Sequence, residues 1–235
     1  MINLYNRPKY LSAGDSAVVV EFGNSISPEI NNLVNQLMFK IENMRPKGVL
    51  DMVPSYRSLM IYYDPLVNSF DELVKGLKEI KGPDNDSSNM QSRTIEIPTL
   101  YGGDMGPDLE FVADHNGISV DQVIEIHSGA KYRVYMLGFS PGFPYLGGMP
   151  ESIATPRLSS SRTVIPAGSV GIAEKQTGIY PNASPGGWRL IGQTPIRLFD
   201  AEAFPPALLQ PGDYVQFVSI GQEAFDSLKT SISKK

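Results

Sequence analysis

The chain has 235 residues, 41% of them hydrophobic, and a formal net charge of −5, enough apolar material for one large core or two ordinary ones. It contains no cysteine, which excludes disulfides, thiolate metal sites, iron–sulfur clusters and a cysteine nucleophile, so a cytoplasmic location is expected. The acidic balance without a Lys/Arg-rich run argues against nucleic acid as the partner, and no apolar run approaches the roughly 20 residues of a membrane span.

The first third alternates strand and helix patterns. Ala17–Phe22 is a β-branched run, after which Ser27-Pro28 supplies an N-cap and an N1 proline. Ile30, Leu33, Val34, Leu37, Met38, Ile41 and Met44 follow the 3.6-residue period and predict one apolar helical stripe. Val49–Val53 and Ser58–Tyr63 read as two further strands. Ser69-x-x-Glu72 is a capping box, opening a helix that carries Phe70, Leu73, Val74 and Leu77. The expected product is a two-layer α/β sandwich over residues 1–82.

Lys81–Arg93 (KGPDNDSSNMQSR) breaks every periodicity with residues of a solvated connection, and residues 83–93 are assigned as a linker. The second domain is expected over 94–235. Thr94–Pro98 reads as a strand, Leu109–Asn116 as a helix stopped by Gly117, and Ser119-x-x-Gln122 as the cap of another helix with Val120, Val123 and Ile124 inward. From Tyr132 onward short apolar runs (Val134–Leu137, Val164–Ile165, Val170–Ala173, Ile196–Phe199, Tyr214–Ile220) alternate with Gly/Pro turns. That pattern predicts a closed barrel or sandwich. The fold class is α+β.

Residues 138–192 hold 10 Gly, 7 Pro and 5 aromatics. Only Glu151 and Glu174 are acidic there, against Arg157, Arg162, Lys175 and Arg189, so the stretch is locally basic. Glycine lets backbone approach a ligand and proline fixes loop paths, which suits a preformed site. The same residues also serve the turns of a tight barrel. Candidate binding residues are Arg157, Arg162, Arg189, Gln176 and the rings of Phe139, Phe143, Tyr145, Tyr180 and Trp188. Arginine suits carboxylate or phosphate because its planar fork donates two parallel hydrogen bonds. Trp188, after Pro185-Gly186-Gly187, fits either a ligand wall or a core plug beneath a tight turn, and aromatics beside Pro-rich loops also suit a peptide groove.

Several chemistries are excluded. Gly138-Phe139-Ser140-Pro141-Gly142 has the letters of a nucleophile elbow, but Pro141 lacks the N–H that the oxyanion hole needs, and both histidines precede Ser140. Two histidines without HExxH or an EF-hand pattern leave no metal site for this chain to form. His127 ends the apolar face of its helix and reads as a packed rather than a catalytic residue. No Gly-Lys dipeptide and no G-x-G-x-x-G occur, so any ATP is expected to bind at or with another subunit.

YGGDMGPDLEFVA (101–113), IEIHS (124–128), YMLGFSPGFPYLGGMP (135–150), IPAGSVGIA (165–173) and QTGIYPNASPGGWRLIGQTP (176–195) resemble the B subunit of the bacterial ATP-dependent 5-oxoprolinase. That family is also labelled allophanate hydrolase subunit 1 and includes the KipI-type inhibitor of a sensor histidine kinase. GDSAVVVEFG (14–23) and VPSYRSLMIYYDP (53–65) extend the resemblance to the N-terminal half, while Glu174-Lys175 and Leu158–Ser161 depart from it. The resemblance implies a cyclophilin-like β-barrel as the second domain. It also implies partners, the carboxyltransferase-like C subunit together with the A subunit of 5-oxoprolinase, with which 5-oxoproline is opened to glutamate at the expense of ATP. Two alternatives stay open: inhibition of histidine kinase autophosphorylation, and an allophanate hydrolase or urea carboxylase-related carboxyltransferase subunit. Prolyl isomerase activity is suggested by fold analogy alone.

Overall fold

A computed structural model describes residues 4–80 and 93–232, arranged as two compact units that divide between Gln91 and Ser92. The expected linker, apart from Arg93, lies outside the described residues.

In the first unit, β1 (Leu4–Ser12), β2 (Ala17–Gly23), β3 (Val49–Pro54) and β4 (Ser58–Tyr63) form an antiparallel sheet in the order β1-β2-β4-β3. Helices α1 (Pro28–Met44) and α2 (Phe70–Glu79) cover one face. The period-2 pattern decides which face is covered. Val18, Val20 and Phe22 of β2 and Leu59, Ile61 and Tyr63 of β4 point to the helices and meet Ile30, Val34, Ile41, Leu73, Val74 and Leu77. Ser27 Oγ accepts from the Ile30 N–H at 3.2 Å, and both halves of the Ser69/Glu72 capping box are present, each such cap contributing about 1 kcal/mol. Strand β1, whose charged and aromatic composition hides its alternation, is not anticipated by pattern. Met44 leaves the predicted stripe at 62% exposure because the helix ends there, with Arg45 in the left-handed region at φ 45°. Asn31 and Asn35 are buried in its stead, where Asn31 donates to the Ser55 carbonyl and Asn35 to Asn31 Oδ1.

The second unit is built on a seven-stranded sheet. Its strands are β5 (Thr94–Tyr101), β6 (Lys131–Leu137), β7 (Pro144–Gly147), β9 (Ser169–Ala173), β10 (Gln176–Ile179), β12 (Arg189–Gln193) and β13 (Tyr214–Ser219), in the order β10-β9-β12-β5-β13-β6-β7. Only β13 and β5 run parallel; the other pairs are antiparallel. The outer strands β7 and β10 come together without backbone pairing, which leaves the barrel nearly closed. Two short strands, β8 (Arg162–Ile165) and β11 (Ser184–Gly186), pair separately. Helices α3 (Leu109–Asn116) and α4 (Val120–Gly129) pack on the barrel through Leu109, Val112, Ala113 and Val123, and α5 (Gln222–Ile232) anchors with buried Phe225. Apolar burial of this kind stabilises by about 25 cal/mol per Å².

The predicted strand over Ile196–Phe199 does not form. Pro195 cannot donate to a ladder, and the segment is held instead by buried Leu198 and one bridge from Phe199 to Ala207. No described helix is long and apolar enough to cross a membrane.

Candidate functional site

The Gly/Pro/aromatic block folds around one ring. Phe143 lies 5.4 to 5.7 Å, centroid to centroid, from Phe139, Tyr145, Tyr180 and Trp188, each edge to face, the arrangement that aromatic quadrupoles favour. Phe143, Tyr180 and Trp188 are 3%, 2% and 8% exposed. They are therefore a second small core, shared with Ile165, Ala173 and Leu190, rather than an open groove.

Several glycines exist to let these rings in. A Cβ on Gly178 would sit 2.9 Å from the Trp188 indole, and one on Gly186 would meet Tyr180 Oη at 2.5 Å and Ile165 Cδ1 at 2.7 Å. Close approach of backbone does occur in this block, but to its own aromatic side chains. Only Phe139 stands out, 67% exposed, on a turn in which it takes a left-handed φ of 64°. That turn is closed by the Ser140 N–H on the Gly138 carbonyl and the Phe143 N–H on the Ser140 carbonyl.

Two predicted arginines converge on a residue that composition did not single out. Arg162 Nη2 and Nη1 lie 3.0 and 2.9 Å from Asp108 Oδ1 and Oδ2, a bidentate pair. Arg189 Nη1 is 3.9 Å from Asp108 Oδ1. The Arg189 guanidinium lies 3.6 Å from the centroid of the Phe111 ring, and its Nε donates to the Pro156 carbonyl. Arg162 Nη1 also donates to the Trp188 carbonyl at 3.4 Å, which joins the charged cluster to the aromatic one. Arg157 is exposed, its guanidinium carbon 6.0 Å from the Trp188 ring centroid. Burial pushes the Tyr180 hydroxyl up, opposed by a hydrogen bond to the Trp188 backbone and by the charges of Arg157 and Arg162. Gln176 is half-buried at the start of β10.

Sequence analysis does not single out Asp108, although a local signal for it exists: GGDMGPD just before a helix. Gly102 and Gly103 take positive φ, and Gly106 lies against the Ile191 carbonyl so closely that no side chain would fit. The loop is thereby laid along β12, and Asp108 arrives beside Leu190. Its partners Arg162 and Leu190 are 54 and 82 residues away in sequence.

Glu174 and Lys175 form the β9–β10 turn. Glu174 has a φ of 53°, a position that favours Gly or Asn, and Lys175 Nζ meets Glu151 Oε1 at 2.6 Å on the exposed surface.

His127 is fully buried, with its pKa pushed down to about 3 by burial. Its Nδ1 is 2.7 Å from Tyr101 Oη and its Nε2 2.8 Å from Thr177 Oγ1. Thr177 spends its proton on the Gly171 carbonyl, so Nε2 carries the hydrogen and Tyr101 donates to Nδ1. This is a neutral imidazole bracing the barrel wall. Among the described residues no group of three or more His, Asp or Glu side chains converges in a form able to hold a metal ion.

The fold is that of a two-unit α+β protein, an antiparallel sandwich followed by a nearly closed barrel whose wall carries an aspartate–arginine cluster. Residues 8–209 match the carboxyltransferase domain, subdomain C and D, and the chain belongs to that family. It is 43% identical over 226 residues to the 5-oxoprolinase B subunit of Bacillus subtilis (strain 168), covering 92% of this chain and 94% of the relative. It is 42% identical over 209 residues to the 5-oxoprolinase B subunit of Escherichia coli O157:H7, covering 87% and 93%. The solved structure of TTHA0988 superposes with a TM-score of 0.78 at 37% identity, covering 87% of this chain and 40% of that longer one.

Proposed function

We propose that the chain is the B subunit of an ATP-dependent 5-oxoprolinase, supplying one wall of an active site completed by the partner A and C subunits. The observation that carries this reading is that Arg162 and Arg189 converge on the single carboxylate of Asp108, while Arg157 lies over the ring of Trp188, to whose carbonyl Arg162 also donates. Together with 42–43% identity to two proteins of that name, it favours recognition of an anionic small molecule. In this reading the cationic wall holds the 5-oxoproline carboxylate while ATP, bound at or with the partners, phosphorylates the lactam oxygen. One water adds to the activated carbon, the ring C–N bond breaks with the nitrogen leaving as the amine, and a second water releases phosphate from the resulting acyl phosphate. The overall change is 5-oxoproline, ATP and two waters to glutamate, ADP and phosphate. A composite site also accounts for the lack of a cysteine and of a phosphate-loop motif in this sequence.

The regulatory alternative, a groove gripping a kinase segment, calls for open aromatic rings, and here Phe143, Tyr180 and Trp188 are buried. The enzyme reading is therefore preferred. The test is reconstitution with the two partner subunits, followed by 5-oxoproline-dependent ATP hydrolysis and glutamate release. Absence of turnover in a correctly assembled complex would refute it. Arg157→Ala is the informative variant, because Arg162→Ala would also strip buried Asp108 of its bidentate partner and so perturb folding. A tenfold or greater loss of kcat/KM is expected for Arg157→Ala, corresponding to about 1.4 kcal/mol.

A further inference from the structure

Asp108 occupies the N-cap position of α3, yet its side chain caps nothing there. An aspartate at that position ordinarily gains about 1 kcal/mol by accepting from the first helical N–H groups. Its carboxylate turns instead toward β12 and β8. Oδ2 accepts from the Leu190 N–H at 2.7 Å, while the Asp108 N–H donates to the Leu190 carbonyl at 2.9 Å. This two-point clamp leaves the acid 7% exposed and rigid. Arg162 then meets both of its oxygens through one edge of the guanidinium, and Arg189 approaches the same acid from its stacked position on Phe111.

A guanidinium has five N–H donors in a fixed plane. One edge of Arg162 is committed to Asp108, so the remaining donors face directions set by that pair rather than by free rotation. The acid also cancels one of the cluster's charges, which weakens the attraction for any anion. Orientation and attraction are thus opposed at this residue. We propose that Asp108 is a positioning residue that sets the orientation in which Arg162 and Arg189 meet the substrate's carboxylate. This role rests on the functional reading above.

The opposition supplies the test. Asp108→Asn keeps the volume and the oxygen for the Leu190 N–H but removes the charge and the bidentate acceptor. In the reconstituted complex its kcat/KM for 5-oxoproline should fall tenfold or more, since misplacement of a binding group by about 1 Å costs up to 100-fold. Inorganic phosphate, titrated against the fluorescence of Trp188 in the full chain, should bind at least as tightly as to the wild type. Trp188 is the only tryptophan of the chain. Arg162→Lys should reproduce the kinetic loss, and the double variant should be no worse than the poorer single one, because the pair acts as a unit. A kcat/KM within twofold of wild type in Asp108→Asn overturns the role. So does a loss accompanied by weaker phosphate binding and a lower melting temperature, the pattern of a merely structural residue, and so do additive losses in the double variant. A wild-type complex that does not turn over 5-oxoproline overturns the functional reading itself, before any variant is compared.

Discussion

Acid should unfold the barrel unit in a way traceable to His127. An unfolded histidine has a pKa near 6.5, whereas burial holds His127 down to about 3 in the folded state. The unfolded chain therefore binds this proton first, and stability falls as pH drops below about 6.5, levelling only near pH 3. The slope in that window is about 1.4 kcal/mol per pH unit. The cumulative loss is about 1.4 kcal/mol at pH 5.5 and about 2.7 kcal/mol at pH 4.5. Carboxylates titrate over part of the same range, so the informative quantity is a difference. Urea unfolding of wild type and of His127→Gln, followed by Trp188 fluorescence because that ring lies in the same unit, should give stability curves that converge as pH falls from 7 to 4.5. Should His127→Gln not fold, an NMR titration of the wild type must show one imidazole that stays neutral down to pH 4. Parallel stability curves, or both imidazoles titrating near 6.5, would refute the assignment of His127 as a buried neutral brace.

Other variants separate packing from surface effects. Phe143→Ala removes the ring that four aromatics share and should cost about 3–5 kcal/mol by chemical denaturation. Gly186→Ala places a methyl against Tyr180 Oη and Ile165 Cδ1 and should cost about 1–3 kcal/mol, with a change in Trp188 fluorescence as the rings shift. Lys175→Ala breaks an ion pair whose two side chains are 69% and 75% exposed, so its melting temperature should match the wild type, as expected of a surface pair. Ser119→Ala removes a capping box from α4 and should lower stability by about 1 kcal/mol in the same assay.

Residues close in sequence spoke plainly for themselves. Ser27-Pro28, Ser69-x-x-Glu72, Ser119-x-x-Gln122 and Gly117 mark helix ends through bonds made within four residues, and the structure places a cap at each. The strands of β-branched residues were equally readable, because alternation is a property of the strand itself. The β1, β7, β10, β11 and β12 segments were not, since charge, glycine and proline blur their alternation and only their neighbours hold them extended. Within the candidate site the residue types were visible and their roles were not. Trp188 could be a ligand wall or a core plug, and what buries it is Phe143, 45 residues earlier, with Gly171 and Gly178.

The sequence by itself determined an α+β chain, the caps and helices α1 to α4, and a basic, aromatic block in a chain with no thiol and no phosphate-loop motif. Only the tertiary structure decided that most of those rings form a core and that Asp108 gathers Arg162 and Arg189. The physical reason is range. A cap or a hydrophobic period is written within one turn, whereas a bidentate ion pair spanning 54 residues exists only after sheet register has brought its two ends together.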